Sequence, residues 1–173
     1  MIHQPPDWDS KFGYSEILKE QLYIGGEDDI DELLYGTIES RNLNGKGSFF
    51  ESPMPQIDTW IDLRDHRPNN RKIYIPTEVE YFSLPFADGS YIEAEQILPK
   101  AKEVLTNKLN NGNRVLVTCH QGRSRSALLV LWYLAETLGS YSEAFKVLKD
   151  KRYIIKPDRN FSPFLEEWKR IYL

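Results

Sequence analysis

Arg114-Val115-Leu116-Val117-Thr118 runs directly into Cys119-His120-Gln121-Gly122-Arg123-Ser124-Arg125-Ser126, and then into Ala127-Leu128-Leu129-Val130-Leu131-Trp132-Tyr133-Leu134-Ala135. The first segment is β-branched and apolar and reads as a buried strand. The third is apolar on nearly every face, which predicts a central, buried helix ended by Gly139. Between them a short glycine-containing loop carries the chain's one cysteine. Loop N–H groups in such a turn form a nest for an anion, and the helix start adds further donors and the positive end of its dipole. Arg125 brings a planar fork that fits two oxygens of a phosphate. These features would bind an oxyanion, and they would also favour the thiolate of Cys119. A buried, inert thiol would require neither Gly122 nor Arg125 beside it.

Elements on either side predict an α/β domain. Gln21 to Ile24 reads as a first strand, followed by a short acidic helix over Asp28–Tyr35 with Ile30, Leu33 and Leu34 inward. Thr59–Leu63 and Val79–Leu84 are further strands. Ile97, Ala101, Val104, Leu105 and Leu109 follow helical spacing, with Pro99 expected near the helix start rather than its interior. Ser140 with Glu143 forms a capping-box pattern for the next helix. Ser162-Pro163 reads as an N-cap and first-turn proline of a last one. The expected architecture is a single domain with a central, mostly parallel sheet flanked by helices. Residues 1–20 read as an N-terminal arm and 21–173 as the domain, with a long loop over 36–56 that contains Phe49-Phe50.

Composition excludes several other classes. The chain has 173 residues, a net charge of −4 and one cysteine, so it cannot be stapled by an internal disulfide. With histidines only at positions 3, 66 and 120, a Cys/His zinc cluster is excluded as well. The longest apolar run is Ala127 to Ala135, far short of the ~20 residues of a membrane span. MIHQPPDWDS has no basic start and no apolar core, so no secretory leader is expected. A reducing, cytoplasmic setting fits a chain with a single thiol. The acidic balance argues against non-specific nucleic-acid binding.

The Cys-x5-Arg loop resembles the protein tyrosine phosphatase signature, and its form C-x-x-G-x-S-R-S is closest to the dual-specificity branch. Leu22-Tyr23-Ile24-Gly25, Trp60-Ile61-Asp62-Leu63-Arg64, the segment Arg114–Arg152 and Lys156-Pro157 also match that family in order. The resemblance implies a hydrolase of phosphate monoesters that acts through a phosphocysteine, with no cofactor and no metal. It implies that His120 to Arg125 bind phosphate and that Cys119 is the nucleophile. A general-acid aspartate is expected about thirty residues upstream, where Asp88 stands 31 residues before Cys119 in Pro85-Phe86-Ala87-Asp88-Gly89-Ser90. Asp62 and Asp65 are the competing carboxylates, with Asp62 expected to order structure. Ser126 matches the hydroxyl that assists the departing thiolate.

In place of the family's histidine before the cysteine this chain has Thr118, so Cys119 is expected to be less acidic than is usual there. His120 is expected to point outward. Arg123 with Arg64, His66, Arg67, Arg71 and Lys72 forms an expected basic rim that could read an acidic substrate. The resemblance points first to phosphoprotein, and leaves phosphoinositide, glycan and RNA phosphates open. Two alternatives are a non-catalytic phosphate-binding module of the same fold and a rhodanese-like sulfurtransferase. The sulfurtransferase would need neither the upstream acid nor the Arg-Ser ending of the loop.

Overall fold

A computed structural model describes residues 13–35, 56–65 and 75–173. Five strands form one sheet: β1 (Ser15–Leu18), β2 (Leu22–Gly25), β3 (Thr59–Asp62), β4 (Glu80–Ser83) and β5 (Val115–Thr118), in the order β1-β2-β5-β3-β4. All neighbours are parallel except β1 and β2. The register sets two faces. Val115 lies beside Leu22 and Thr59, Leu116 beside Tyr23 and Trp60, and Val117 beside Ile24 and Ile61. Successive side chains therefore alternate between the faces, and both faces of the three central strands are buried.

One face packs Tyr23, Trp60 and Leu116 against Ile30, Leu33 and Leu34 of a short helix, α1 (Ile30–Tyr35). A 3-10 turn over Glu27–Asp29 leads into it, so the expected Asp28 start is replaced by a tighter turn. The opposite face packs Ile24, Ile61 and Val117 against α2 (Tyr91–Asn110) and α3 (Arg125–Leu138). Two further helices, α4 (Tyr141–Lys151) and α5 (Ser162–Ile171), complete this layer. As expected, α3 is the central helix. Leu128, Leu129, Val130 and Leu131 have no exposed surface, and each contributes roughly 1.5–3 kcal/mol through burial. Gly139 closes it at φ 73°, the left-handed cap position.

Three expectations are corrected. The arm is shorter than its expected 1–20 boundary, because Ser15–Leu18 is an antiparallel strand paired with β2. Ile17 is buried in the core, and a tight turn with Gln21 N donating to Leu18 O at 2.9 Å brings the strand back. Pro99 lies inside α2 rather than at its start. Ser90 caps this helix by accepting from Glu93 N, seven residues before Ile97, the first apolar position used to place it. Pro99 is exposed, so the carbonyl it leaves without a donor faces solvent. Ser162 is the first residue of α5 and not its cap; its hydroxyl donates back to Arg159 O, and Asp158 caps the preceding 3-10 turn. Of the expected loop 36–56, residues 36–55 with Phe49-Phe50 lie outside the described residues, as do His66, Arg67, Arg71 and Lys72. Among the described residues no helix is long and apolar enough to cross a membrane.

Candidate active site

Parallel strands end together, and the Cys119 loop leaves β5 at the carboxyl edge of the sheet between its neighbours β2 and β3. Such edges are where open α/β sheets bind ligands. Cys119 continues the alternation of β5, so its side chain lies with the Val117 face, 2% exposed. Burial pushes its thiol pKa up. Opposing this, Arg125, the Ser126 hydroxyl and the backbone N–H groups of Ser126 and Gly122 act together, and they leave it below the ordinary thiol value. Ser126 Oγ donates to Cys119 Sγ at 2.8 Å. Thr118 stands on the other face, where its hydroxyl accepts from Trp60 Nε1 at 2.9 Å. It braces the strand end, while the hydroxyl that reaches the sulfur belongs to Ser126.

Arg125 is 3% exposed. Its Nη1 donates to Phe86 O at 2.8 Å and Leu63 O at 3.4 Å, and lies 3.6 Å from Asp65 Oδ1. Its Nε–H is buried and has no hydrogen-bond partner among the described residues. A buried donor without a partner is rare and costly. An oxyanion over the loop would satisfy it.

Gly122 holds φ +68°, and a Cβ there would meet Arg152 Nη2 at 2.7 Å and Gly25 O at 2.8 Å. Only glycine fits both the left-handed backbone and that contact. Gly122→Ala is expected to lose about 2 kcal/mol or more of stability, measured by urea unfolding. Unfolding within about 0.5 kcal/mol of wild type would contradict the contact.

Arg152 is a buttress that composition and spacing did not reveal. It is 1% exposed, and its Nε donates to Gly122 O at 2.8 Å, its Nη1 to Gly13 O at 2.9 Å and Ser15 Oγ at 2.8 Å. Burial pushes this guanidinium down to about 10, against the pull of Asp29 and Cys119. The hint in sequence was a lone arginine between a helix end and Ile154-Ile155, which looks like a surface residue until β1 is seen to cover it.

Asp88 sits on the loop between β4 and α2. Glu93 Oε1 accepts from Ala87 N at 2.8 Å, and the Ser90 cap fixes the loop's far end. Asp88 Oδ1 accepts from Ser124 Oγ at 2.6 Å, while the same Ser124 oxygen accepts from Asp158 N at 2.8 Å. Asp158 N–H occupies the hydroxyl's lone pair, so its proton is directed at the carboxylate. The structure thus brings Asp88 to the cysteine loop, although it lies 36 positions before Ser124 in the sequence. Ser124 was expected as a residue of the phosphate-binding loop, and this link to Asp88 was not foreseen.

The remaining carboxylates separate as follows. Asp62 is buried and structural: it accepts from Arg64 Nε and Nη2, both at 2.9 Å, and from Tyr81 OH at 2.7 Å. Arg64 is therefore not a rim residue. It is 7% exposed and also pairs with Glu27 at 2.6 Å. Asp65 lies beside the loop, 3.4 Å from His120 Nε2. His120 does not point outward: its ring lies between Asp65 and Glu27, whose Oε2 is 3.8 Å from Nδ1. The turn after β2 also holds the loop, with Glu27 N donating to His120 O at 2.8 Å. Gln121 is exposed, and its carbonyl accepts from Arg152 Nη2 at 3.3 Å.

Residues 52–171 match the family model described as dual specificity phosphatase, catalytic domain. The serine/threonine/tyrosine-interacting protein of Mus musculus is 34% identical over 114 residues, 65% of this chain and 49% of that protein. Dual specificity protein phosphatase 2 of Mus musculus is 35% identical over 82 residues, 47% of this chain and 26% of that protein. The chain spans about half the length of the first of these curated relatives. Among solved structures, the human tyrosine phosphatase-like serine/threonine/tyrosine-interacting protein superposes with a TM-score of 0.67 at 27% identity, covering 92% of this chain and 97% of that one.

Proposed function

The chain belongs to the family of dual specificity phosphatase catalytic domains, and on that premise we propose that it hydrolyses phosphate monoesters of protein side chains through a phosphocysteine, in a reducing, cytoplasmic setting. The observation that carries this reading is Arg125. It is buried, closes the loop that carries a thiol of lowered pKa, and has an open Nε–H.

In the proposed sequence Cys119 thiolate attacks phosphorus in line. The S–P bond forms as the P–O bond to the leaving group breaks. Arg125 and the N–H groups of His120 to Arg125 hold the equatorial oxygens, which supplies the positive charge that phosphoryl transfer requires. Asp88 gives its proton to the leaving oxygen. Water then attacks phosphorus and loses a proton to Asp88, and the S–P bond breaks while Ser126 Oγ donates to the departing thiolate. The Ser124 hydroxyl holds the Asp88 loop over the site during both steps.

The test is the pH profile of kcat/KM on phenyl phosphate, whose leaving oxygen needs a proton. The acid limb should follow the thiolate: activity rises with pH through a midpoint below the ordinary thiol range of ~8.5. Asp88→Asn is expected to lower kcat by about 10²–10⁴. Asp65→Asn, which alters a carboxylate beside Arg125, should not produce that loss. An Asp88→Asn profile identical to wild type would overturn the assignment of the acid.

One observation favours a second reading. The relative at 34% identity is named for interaction, and its solved human counterpart is called phosphatase-like. A module that binds phosphorylated residues without turnover would retain the loop. Against this reading, Cys119, Ser126, Arg125 and Asp88 are all present, Ser126 Oγ donates to the sulfur, and Asp88 accepts from Ser124 of the same loop. Phosphopeptide binding by the wild type with no phosphate release would establish the module instead. Nothing in the site favours sulfur transfer.

A further inference from the structure

Beside the cysteine loop, a cavity of about 470 Å³ opens between Arg123 and the stretch that joins α4 to α5. Its walls are Phe145, Tyr153 and Ile154, and three cations border it: Arg123, Lys149 and Lys156. Arg123 Nε donates to Ile154 O at 3.3 Å and Lys149 Nζ to Ile155 O at 3.0 Å, so both head groups are fixed by neutral carbonyls. Among the described residues no carboxylate pairs with Arg123, Lys149 or Lys156. Burial, then Arg123 and Lys156, hold the Lys149 ammonium below its ordinary pKa, which marks a positive potential left unneutralised. Lys156 N donates to Arg123 O at 2.7 Å, so the cavity and the cysteine loop share one rigid segment.

We propose that this cavity is a specificity site that takes an anionic side chain of the substrate polypeptide, a few residues from the phosphorylated residue seated over Cys119. The proposal rests on the reading of the cysteine loop as the primary phosphate site. Arg123 is four residues from Cys119, at most about 14 Å of chain, which an extended peptide spans in two to four residues. Three cations call for an anion. The rings and aliphatic side chains of the wall call for the stem and neighbours of a side chain, which a peptide provides and a bare headgroup lacks. Carboxylate and phosphate share the required chemistry, and the test separates them.

The experiment measures kcat/KM for peptides of one length with a single phosphotyrosine. Alanine, glutamate or phosphoserine stands three residues before or after it, and phenyl phosphate is the internal reference. Two partly exposed charge contacts set the expected size, so wild type should favour one of the anionic peptides over alanine by about tenfold. Lys149→Gln/Lys156→Gln should reduce that preference to within about twofold, and Lys149→Arg/Lys156→Arg should restore it. Equal rates on all peptides, or a preference that survives the glutamine pair, would overturn the site. If no peptide is turned over, the same series is read as binding to Cys119→Ser by fluorescence anisotropy. Preference for the anionic peptides there keeps the site and removes the turnover reading; absence of preference removes the site. Phosphatidylcholine vesicles with a bisphosphorylated phosphoinositide serve as a competitor. Displacement of the acidic peptide by these vesicles and not by plain ones, lost in the glutamine pair, would replace the peptide assignment with a lipid one.

Discussion

Cys119→Ser is expected to remove turnover while leaving phosphate binding intact. Serine preserves the size of the side chain, and the loop is held by contacts that do not involve sulfur. Arg152 donates to Gly122 O, Glu27 N donates to His120 O, and Arg125 donates to Phe86 O. What changes is the nucleophile. The surroundings that lower a thiol pKa cannot bring an alcohol into the neutral range, so the attacking anion is lost. The fall in kcat should be on the order of 10⁴-fold or more, the scale on which loss of a nucleophile acts. Removing a negative charge from under the phosphate site should leave a phosphopeptide bound at least as tightly as by wild type. Phosphate release measures the first outcome and anisotropy the second. A serine variant with wild-type turnover would rule out the covalent step. A variant that loses both functions, with its far-ultraviolet circular dichroism unchanged, would mean that the thiolate itself holds the ligand.

The second large effect is expected from Arg125→Lys. The substitution keeps the charge and removes the fork. The guanidinium already donates through Nη1 to Phe86 O and Leu63 O, and it keeps an Nε–H for the ligand. One ammonium cannot anchor to the acid-loop carbonyl and also present a second, coplanar donor. A loss of about 10²–10³ in kcat/KM is expected, the range seen when one preorganised oxyanion donor is removed. Arg125→Ala, which removes the charge, provides a readout that misfolding would not mimic. Alkylation of Cys119 by iodoacetate should move its midpoint to higher pH, because burial then acts on the thiol without its main opponent. A midpoint that stays in place would show that Ser126 and the backbone N–H groups suffice.

The difference between what the chain announces and what it hides follows from the range of each interaction. The buried strand, the loop and the buried helix around Cys119 were legible because each rests on local periodicity or on a motif within eight residues. Ser126 and Arg125 belong to that stretch; the structure places the Ser126 hydroxyl on the sulfur and buries Arg125 with its Nε–H unpartnered among the described residues. Pro99 misled because helical spacing was counted from the apolar positions, whereas the true start is the hydroxyl of Ser90. The first strand was missed because Ser15–Leu18 is polar on one side and gains its order from β2. His120 was misjudged because two carboxylates from distant segments, Glu27 and Asp65, flank its ring.

The sequence by itself determined the cysteine loop between strand and helix and the α/β class, since a strand, a glycine-containing loop and a buried helix start are properties of contiguous residues. Tertiary structure alone decided which groups serve the loop from afar. It chose Arg152 as the buttress, put Ser124 between Asp88 and Asp158, turned Arg64 inward onto Asp62, and gathered Arg123, Lys149 and Lys156 around one cavity. These pairings depend on how parallel strands are ordered in the sheet and on which loops meet at its carboxyl edge. No local pattern encodes that ordering, because it is set by the joint burial of both sheet faces.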